Sequence, residues 1–153
     1  MRPFVMALVL VTAASAIFAA PAHAQQAPAP AAPPTRMFNG DAGLILMYVK
    51  PDKTADFEAA MGRVKEALMK SEKPERKQQA ASWKLYKDGA GPAGQVYVFI
   101  VSPSVKNADY SLGAILSEGL PQEASAIFKS YADSLSTQPQ VVIPLELVND
   151  FSK

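Results

Sequence analysis

Residues 43–50, GLILMYVK, are apolar at odd and even positions alike. A strand with one wet face alternates apolar and polar side chains, so a run without alternation predicts a strand covered on both faces. Residues 95–102, QVYVFIVS, repeat the pattern. Two such strands belong in the middle of a sheet, and two further segments read as its edges. Residues 81–87 alternate, with Ala81, Trp83 and Leu85 on one face and Ser82, Lys84 and Tyr86 on the other. Residues 140–148 contain Pro144, which cannot donate to a ladder and therefore suits an edge.

The segments between these strands read mainly as helices. Pro51-Asp52-Lys53 ends the first strand, and Thr54 is placed to cap a helix. Along that helix Phe57, Met61, Val64 and Leu68 recur at i, i+4, i+7 and i+11, with Ala60 and Ala67 beside them. Asp56 and Glu58 near the start and Lys70 near the end suit the helix dipole. The mixed-charge run 71–79, SEKPERKQQ, reads as a solvated connection. After the third strand, Asp109 is placed to cap a short helix over residues 111–118, which Gly119 ends. Pro121 opens a second helical segment with Leu120, Ala124, Ile127, Phe128, Tyr131 and Leu135 on one face.

These elements predict an α+β fold, a ferredoxin-like βαββαβ sandwich with antiparallel sheet order 4-1-3-2 and its second helix broken near Gly119 and Pro121. Helices cover one sheet face. The other is left apolar, drawing on Leu, Ile, Met and Tyr of the first strand and Val, Tyr, Phe and Ile of the third. A monomer seldom exposes so much apolar surface, so the expectation is a homodimer paired sheet to sheet as an α+β barrel. Which face each residue takes stays open, because a one-residue slip carries Tyr97 and Phe99 from the dimer face to the helix face.

Ahead of this domain, Arg2, the apolar stretch 4–20 and Ala22-His23-Ala24 form the pattern of a signal peptide over residues 1–24. Cleavage between Ala24 and Gln25 would release the chain to the periplasm or the medium without a membrane anchor. Residues 25–36 form an Ala/Pro-rich linker too poor in apolar surface to build a core, and residues 37–153 make one α+β domain.

Composition excludes several chemistries. His23 is the only histidine and there is no cysteine, so the mature chain has no thiol nucleophile, disulfide, imidazole base or imidazole metal ligand. Loss of the leader removes Arg2 and leaves 14 basic residues against 14 acidic ones, with no cationic excess for nucleic acid. No carboxylate cluster suggests a metal, and no cofactor is expected. Asp52, Asp56, Glu72 and Glu75 lie in polar stretches, where solvated carboxylates make poor general acids. Serine lacks both a histidine base and a nucleophile-elbow sequence. Residues 89–94, GAGPAG, match the G-x-G-x-x-G fingerprint, which works only where its last glycine opens a helix. Here Gly94 leads into a strand and Pro92 removes an amide, so a hairpin loop is expected.

The element order, with Trp83 on the second strand and the WKLYK…QVYVFIVSP hairpin, resembles the dimeric α+β barrel superfamily. The runs LILMYVKPDKTADFEAAMGRVKEAL, SWKLYK and YVFIVSP and the Asp109-Tyr110 segment resemble a group of small exported bacterial proteins of unassigned function. In architecture alone the chain is distantly similar to antibiotic-biosynthesis-type monooxygenases. Many of these carry Glu-x-Trp on the third strand and a histidine in the next helix. Here that strand ends Val101-Ser102-Pro103 with no histidine after it, so no catalytic residue carries over. Haem-binding relatives usually offer a histidine ligand, which the mature chain also lacks.

By analogy with such folds, the pocket is expected between helices and sheet. Trp83, Tyr86, Tyr48, Tyr97 and Tyr110 are candidates for an aromatic wall, with Lys84, Lys50, Arg63, Asn39 or Ser102 as polar anchors. Trp83 leads, because a lone tryptophan on an edge strand beside a glycine loop is poorly placed for full burial. Two functions fit. One is non-catalytic: binding of a small apolar or aromatic ligand, or service as an interaction module. The other is a cofactor-independent, monooxygenase-like oxidation of an aromatic or quinol substrate, which needs a deprotonating group the sequence does not display.

Overall fold

Every second residue of β1 (Ala42–Val49) is buried, with Ile45, Met47 and Val49 beneath the helices and Leu44, Leu46 and Tyr48 half-buried on the opposite face. β3 (Gly94–Val101) follows suit with Tyr97, Phe99 and Val101 inside. In this computed structural model residues 36–91 and 94–152 are described. The signal-peptide and linker expectations, including Ala24 and Gln25, lie outside them. The alternation settles the face of each strand: Met47, Tyr97 and Phe99 belong to the core, and the open face shows Leu44, Leu46, Tyr48, Val96, Val98 and Ile100. Of the residues drawn on for the open surface, Ile45 and Met47 of β1 lie in the core instead, and the face left open for Tyr97 and Phe99 is the helix face.

All pairings are antiparallel. Ile45 stands opposite Phe99 and Met47 opposite Tyr97. β2 (Trp83–Gly91) joins the far side of β3, and β4 (Val141–Leu145) the far side of β1, with Pro144 opposite Gly43. The resulting order, β2-β3-β1-β4, is the expected 4-1-3-2 arrangement, with the proline-bearing strand on an edge. Gly94, at φ +110°, faces the Val49 carbonyl so closely that a side chain there would collide with it, which is why the hairpin returns through glycine.

Among the described residues there are four α-helices. Phe57, Met61, Val64 and Leu68 are the buried stripe of α1 (Thr54–Lys70), and full burial is worth about 1.5–3 kcal/mol for each such side chain. A 3-10 turn over Pro51–Lys53 leads into this helix, so Thr54 is already helical and its side chain caps nothing. The break near Gly119 separates α3 (Leu112–Gly119) from α4 (Ala124–Ser134), with Pro121 in the turn between them. Gly119 lies directly on the Ala67 backbone, a contact that any Cβ would abolish. Ser111, rather than Asp109, is the N-cap residue of α3. Asp109 instead accepts from the Ser111 amide (2.8 Å) and hydroxyl (2.7 Å) and from the Arg36 amide (2.7 Å). Gln140 stays out of β4, and its amide donates to the Tyr131 hydroxyl at 2.7 Å.

The largest correction concerns the run 71–79. It contains most of α2 (Pro74–Ser82), with Pro74 in the first turn where its fixed φ suits a helix. The helix takes in Ala81 and Ser82, so the second strand begins at Trp83 and not at Ala81. Arg76 is only 4% exposed. Its Nε and Nη2 donate to the two Glu118 oxygens at 2.8 and 2.9 Å, and Nη1 donates to Gln79 Oε1 at 2.7 Å and to the Asp109 carbonyl. Mixed charges suggested solvent because a sequence does not show that its charges will satisfy one another.

The Arg76 hydrogen bonds, aided by Lys73, pull the Glu118 carboxyl down to about 2. A depressed folded pKa stabilises above the unfolded value and is lost as pH falls, so this contribution should vanish between about pH 4.5 and 2. Urea midpoints measured across that window are expected to fall for the wild type. Glu118→Gln should start less stable at neutral pH and show a shallower slope. An unchanged slope would assign the acid sensitivity to other carboxylates.

Candidate functional site

α1 packs against α3, α4 and α2, and residues of α1 from Glu58 to Met69 remain open toward β2. There a cleft of about 770 Å³ opens between α1, α2 and β2. Its walls are mainly apolar, with Met61, Leu68 and Met69 from α1, Trp83 and Leu85 from β2, and Phe99 from β3. Gly62 lies on the same flank of α1, and an added Cβ there would meet nothing within 4 Å. A glycine inside a helix costs about 1 kcal/mol relative to alanine, and here it widens a groove.

Trp83 closes the inner side. Its ring lies 5.5 Å from Phe99 and meets Tyr110 edge-on at 5.4 Å. Its indole Nε1 is the one buried side-chain N or O atom among the described residues without a hydrogen-bond partner. Such an orphaned donor costs about 1–3 kcal/mol.

Glu58 is the only carboxylate among the described residues lining the cleft, and it is engaged. Lys87 Nζ donates to its Oε1 at 2.8 Å, and the Tyr97 hydroxyl donates to the same oxygen at 2.5 Å. The Lys87 bond, then the Tyr97 bond, holds its pKa below the ordinary carboxylate value. Burial, then the Glu58 contact, raises that of Tyr97. At neutral pH the pair is a carboxylate of low basicity beside a protonated phenol, a poor arrangement for removing a substrate proton.

The expected aromatic wall is divided among three places. Trp83 and Lys84 line the cleft. Tyr97 and Tyr110 are core residues, Tyr110 packing on Phe38 and receiving the Val105 amide at its hydroxyl (2.9 Å). Tyr48 and Tyr86 lie on the open sheet face, opposite Val96 and Val98. Of the other polar candidates, Lys50 donates to the Asp133 carbonyl, Arg63 pairs with Glu66 and Glu123, the Asn39 carbonyl receives Lys106, and the Ser102 amide donates to the Ser82 carbonyl. Met61, Leu68, Met69, Lys65 and Lys77 were not singled out as site residues in the sequence. The one signal available was Gly62, an interior helical glycine next to the buried stripe.

A smaller cleft, about 240 Å³, lies around Arg36, Ser111, Tyr131 and Gln140. Among the described residues, no group of three or more His, Cys, Asp or Glu side chains could hold a metal ion, and no helix is long and apolar enough to cross a membrane. Compared with protein-family models, curated proteins and solved structures, the chain matches none.

Proposed function

We propose that this is an exported, non-catalytic binding protein that takes a small apolar ligand into the cleft between α1, α2 and β2. The observation that carries this reading is the cleft itself: about 770 Å³, walled by apolar side chains and closed by Trp83. That volume lies within the usual range for small-molecule sites. The low basicity of the Glu58–Tyr97 pair favours binding over the alternative oxidation of a quinol, which needs a proton acceptor at the substrate.

The cleft provides its own test. Trp83 is the only tryptophan of the chain, so its fluorescence reports on the site. A neutral apolar fluorophore such as N-phenyl-1-naphthylamine is expected to bind and quench it by energy transfer. Gly62→Leu fills the space above the helix, so it should weaken binding about tenfold or more while raising stability by up to ~1 kcal/mol through helix propensity. Probe binding that is absent from the wild type, or untouched by Gly62→Leu, would remove the cleft from consideration. Turnover of a quinol by the wild type would transfer the site to the oxidative reading.

The strand order and the helices on one face also support a ferredoxin-like sandwich of the dimeric α+β barrel type, with a homodimer formed through the open sheet face. Leu44, Leu46, Val96, Val98 and Ile100 form the middle of that face, and Val141, Ile143 and Leu145 continue it along β4. Beyond β4, Val148 is 97% and Phe151 93% exposed, apolar side chains with no cover from their own chain. Pairing with a second copy buries the sheet surface.

A further inference from the structure

The charges around the cleft narrow the ligand class beyond "small and apolar". Among the described residues four ionisable side chains line it: Glu58, Lys65, Lys77 and Lys84. Glu58 is neutralised by Lys87, at 2.8 Å. The three lysines make no ion pair, hydrogen bond or other electrostatic contact among the described residues, whereas Lys53, Lys70, Lys73, Lys87, Lys106 and Lys129 all have acidic partners. Unpaired cations are therefore concentrated at an apolar groove on a chain that is otherwise close to neutral. Lys65 stands on α1 and Lys77 on α2, on opposite walls. Lys84 comes from β2, where alternation sets it on the face opposite Trp83 and Leu85, so its cation can reach only the strand's edge.

An apolar trough flanked by two free cations complements one kind of small molecule. We propose that the ligand is a single-chain acidic amphiphile, its apolar body against Met61, Leu68, Trp83 and Phe99 and its carboxylate at the mouth between Lys65 and Lys77. The aliphatic stems of the lysines extend the apolar walls, while their ammonium groups stay in water at the level of the headgroup. Solvent screens such exposed pairs, so the charge selects among ligands while apolar burial holds them. This inference rests on the cleft being the binding site, as proposed above.

Dodecanoate, dodecanol and dodecyltrimethylammonium share one tail and differ in charge. The two ions are titrated below their critical micelle concentrations, and the alcohol below its solubility limit, into the wild type and into Lys65→Gln/Lys77→Gln, with Trp83 fluorescence as readout. In the wild type at low salt, dodecanoate is expected to bind about fivefold more tightly than dodecanol, and the cation more weakly than either. Added salt should shrink the preference for the acid. The double variant should lose that preference, with an unchanged circular dichroism spectrum showing that it is folded. Equal binding of acid and alcohol by the wild type, or a preference that survives the double variant, overturns the inference and leaves the cleft as a neutral apolar site. If none of the three perturbs Trp83, the cleft reading itself fails.

Discussion

Arg76→Ala is expected to destabilise the fold by about 3–5 kcal/mol, enough to lower the melting temperature by roughly 10 °C or more. The guanidinium is buried and fully engaged, bridging α2 to Glu118 at the end of α3, to Gln79 one turn along its own helix and to the Asp109 carbonyl. Truncation leaves the Gln79 oxygen without a donor and the Asp109 carbonyl with only the Gln79 amide, at 3.2 Å, and among the described residues it leaves Glu118 with Lys73 at 2.9 Å as its only cation. An unpaired buried acceptor costs far more than an average hydrogen bond contributes. Arg76→Lys should recover little of the loss, because a single ammonium cannot reproduce the forked, planar pattern of three donating nitrogens. Urea unfolding followed by circular dichroism measures both variants. A loss below about 1 kcal/mol for the alanine variant would mean that water replaces the network without penalty.

The second large effect concerns association. Val98 lies near the centre of the open face, opposite Leu46 on one side and Tyr86 on the other. If two copies pair through this face, Val98→Lys buries an unpaired charge in the middle of the contact. The expected result is a dissociation constant raised about a hundredfold or more, a dimer becoming a monomer in sedimentation velocity at micromolar concentration. Circular dichroism should change little, because Val98 points away from the core. A wild type that sediments as a monomer would defeat the sheet-paired dimer outright. An unchanged dimer in the variant would move the contact elsewhere, with the exposed Val148 and Phe151 the next place to look.

Much of the fold could be read from residue periodicity. The doubly apolar runs became β1 and β3, the alternating and proline-bearing segments became edges, and the Phe57-Met61-Val64-Leu68 stripe became the buried face of α1. These succeed because burial repeats along an element and leaves a period in the sequence. Strand parity was open, because both faces of β1 and β3 are apolar and a one-residue slip leaves the pattern intact. α2 was missed because a helix whose buried positions are Arg76, Gln79 and Ser82 has no apolar stripe to detect. The cleft was half legible. Trp83 could be nominated from its isolation on an edge strand, but Met61, Lys65, Met69 and Lys77 converge on it only through the packing of α1 and α2. Conversely, Tyr97 and Tyr110 resembled site residues because an aromatic side chain looks the same in sequence whether it lines a cavity or fills a core.

The sheet has two free margins, and neither suits the addition of a neighbouring backbone. One is β2, with Lys84 and Lys87 along it, and the other is β4, five residues long and interrupted by Pro144. The segments with the composition of fibril formers, ILMYV and VYVFIV, occupy the two central positions, where both ladders are already made. A chain this rich in apolar strand can therefore be concentrated without seeding cross-β growth, since a fibril could start only after the sheet had opened.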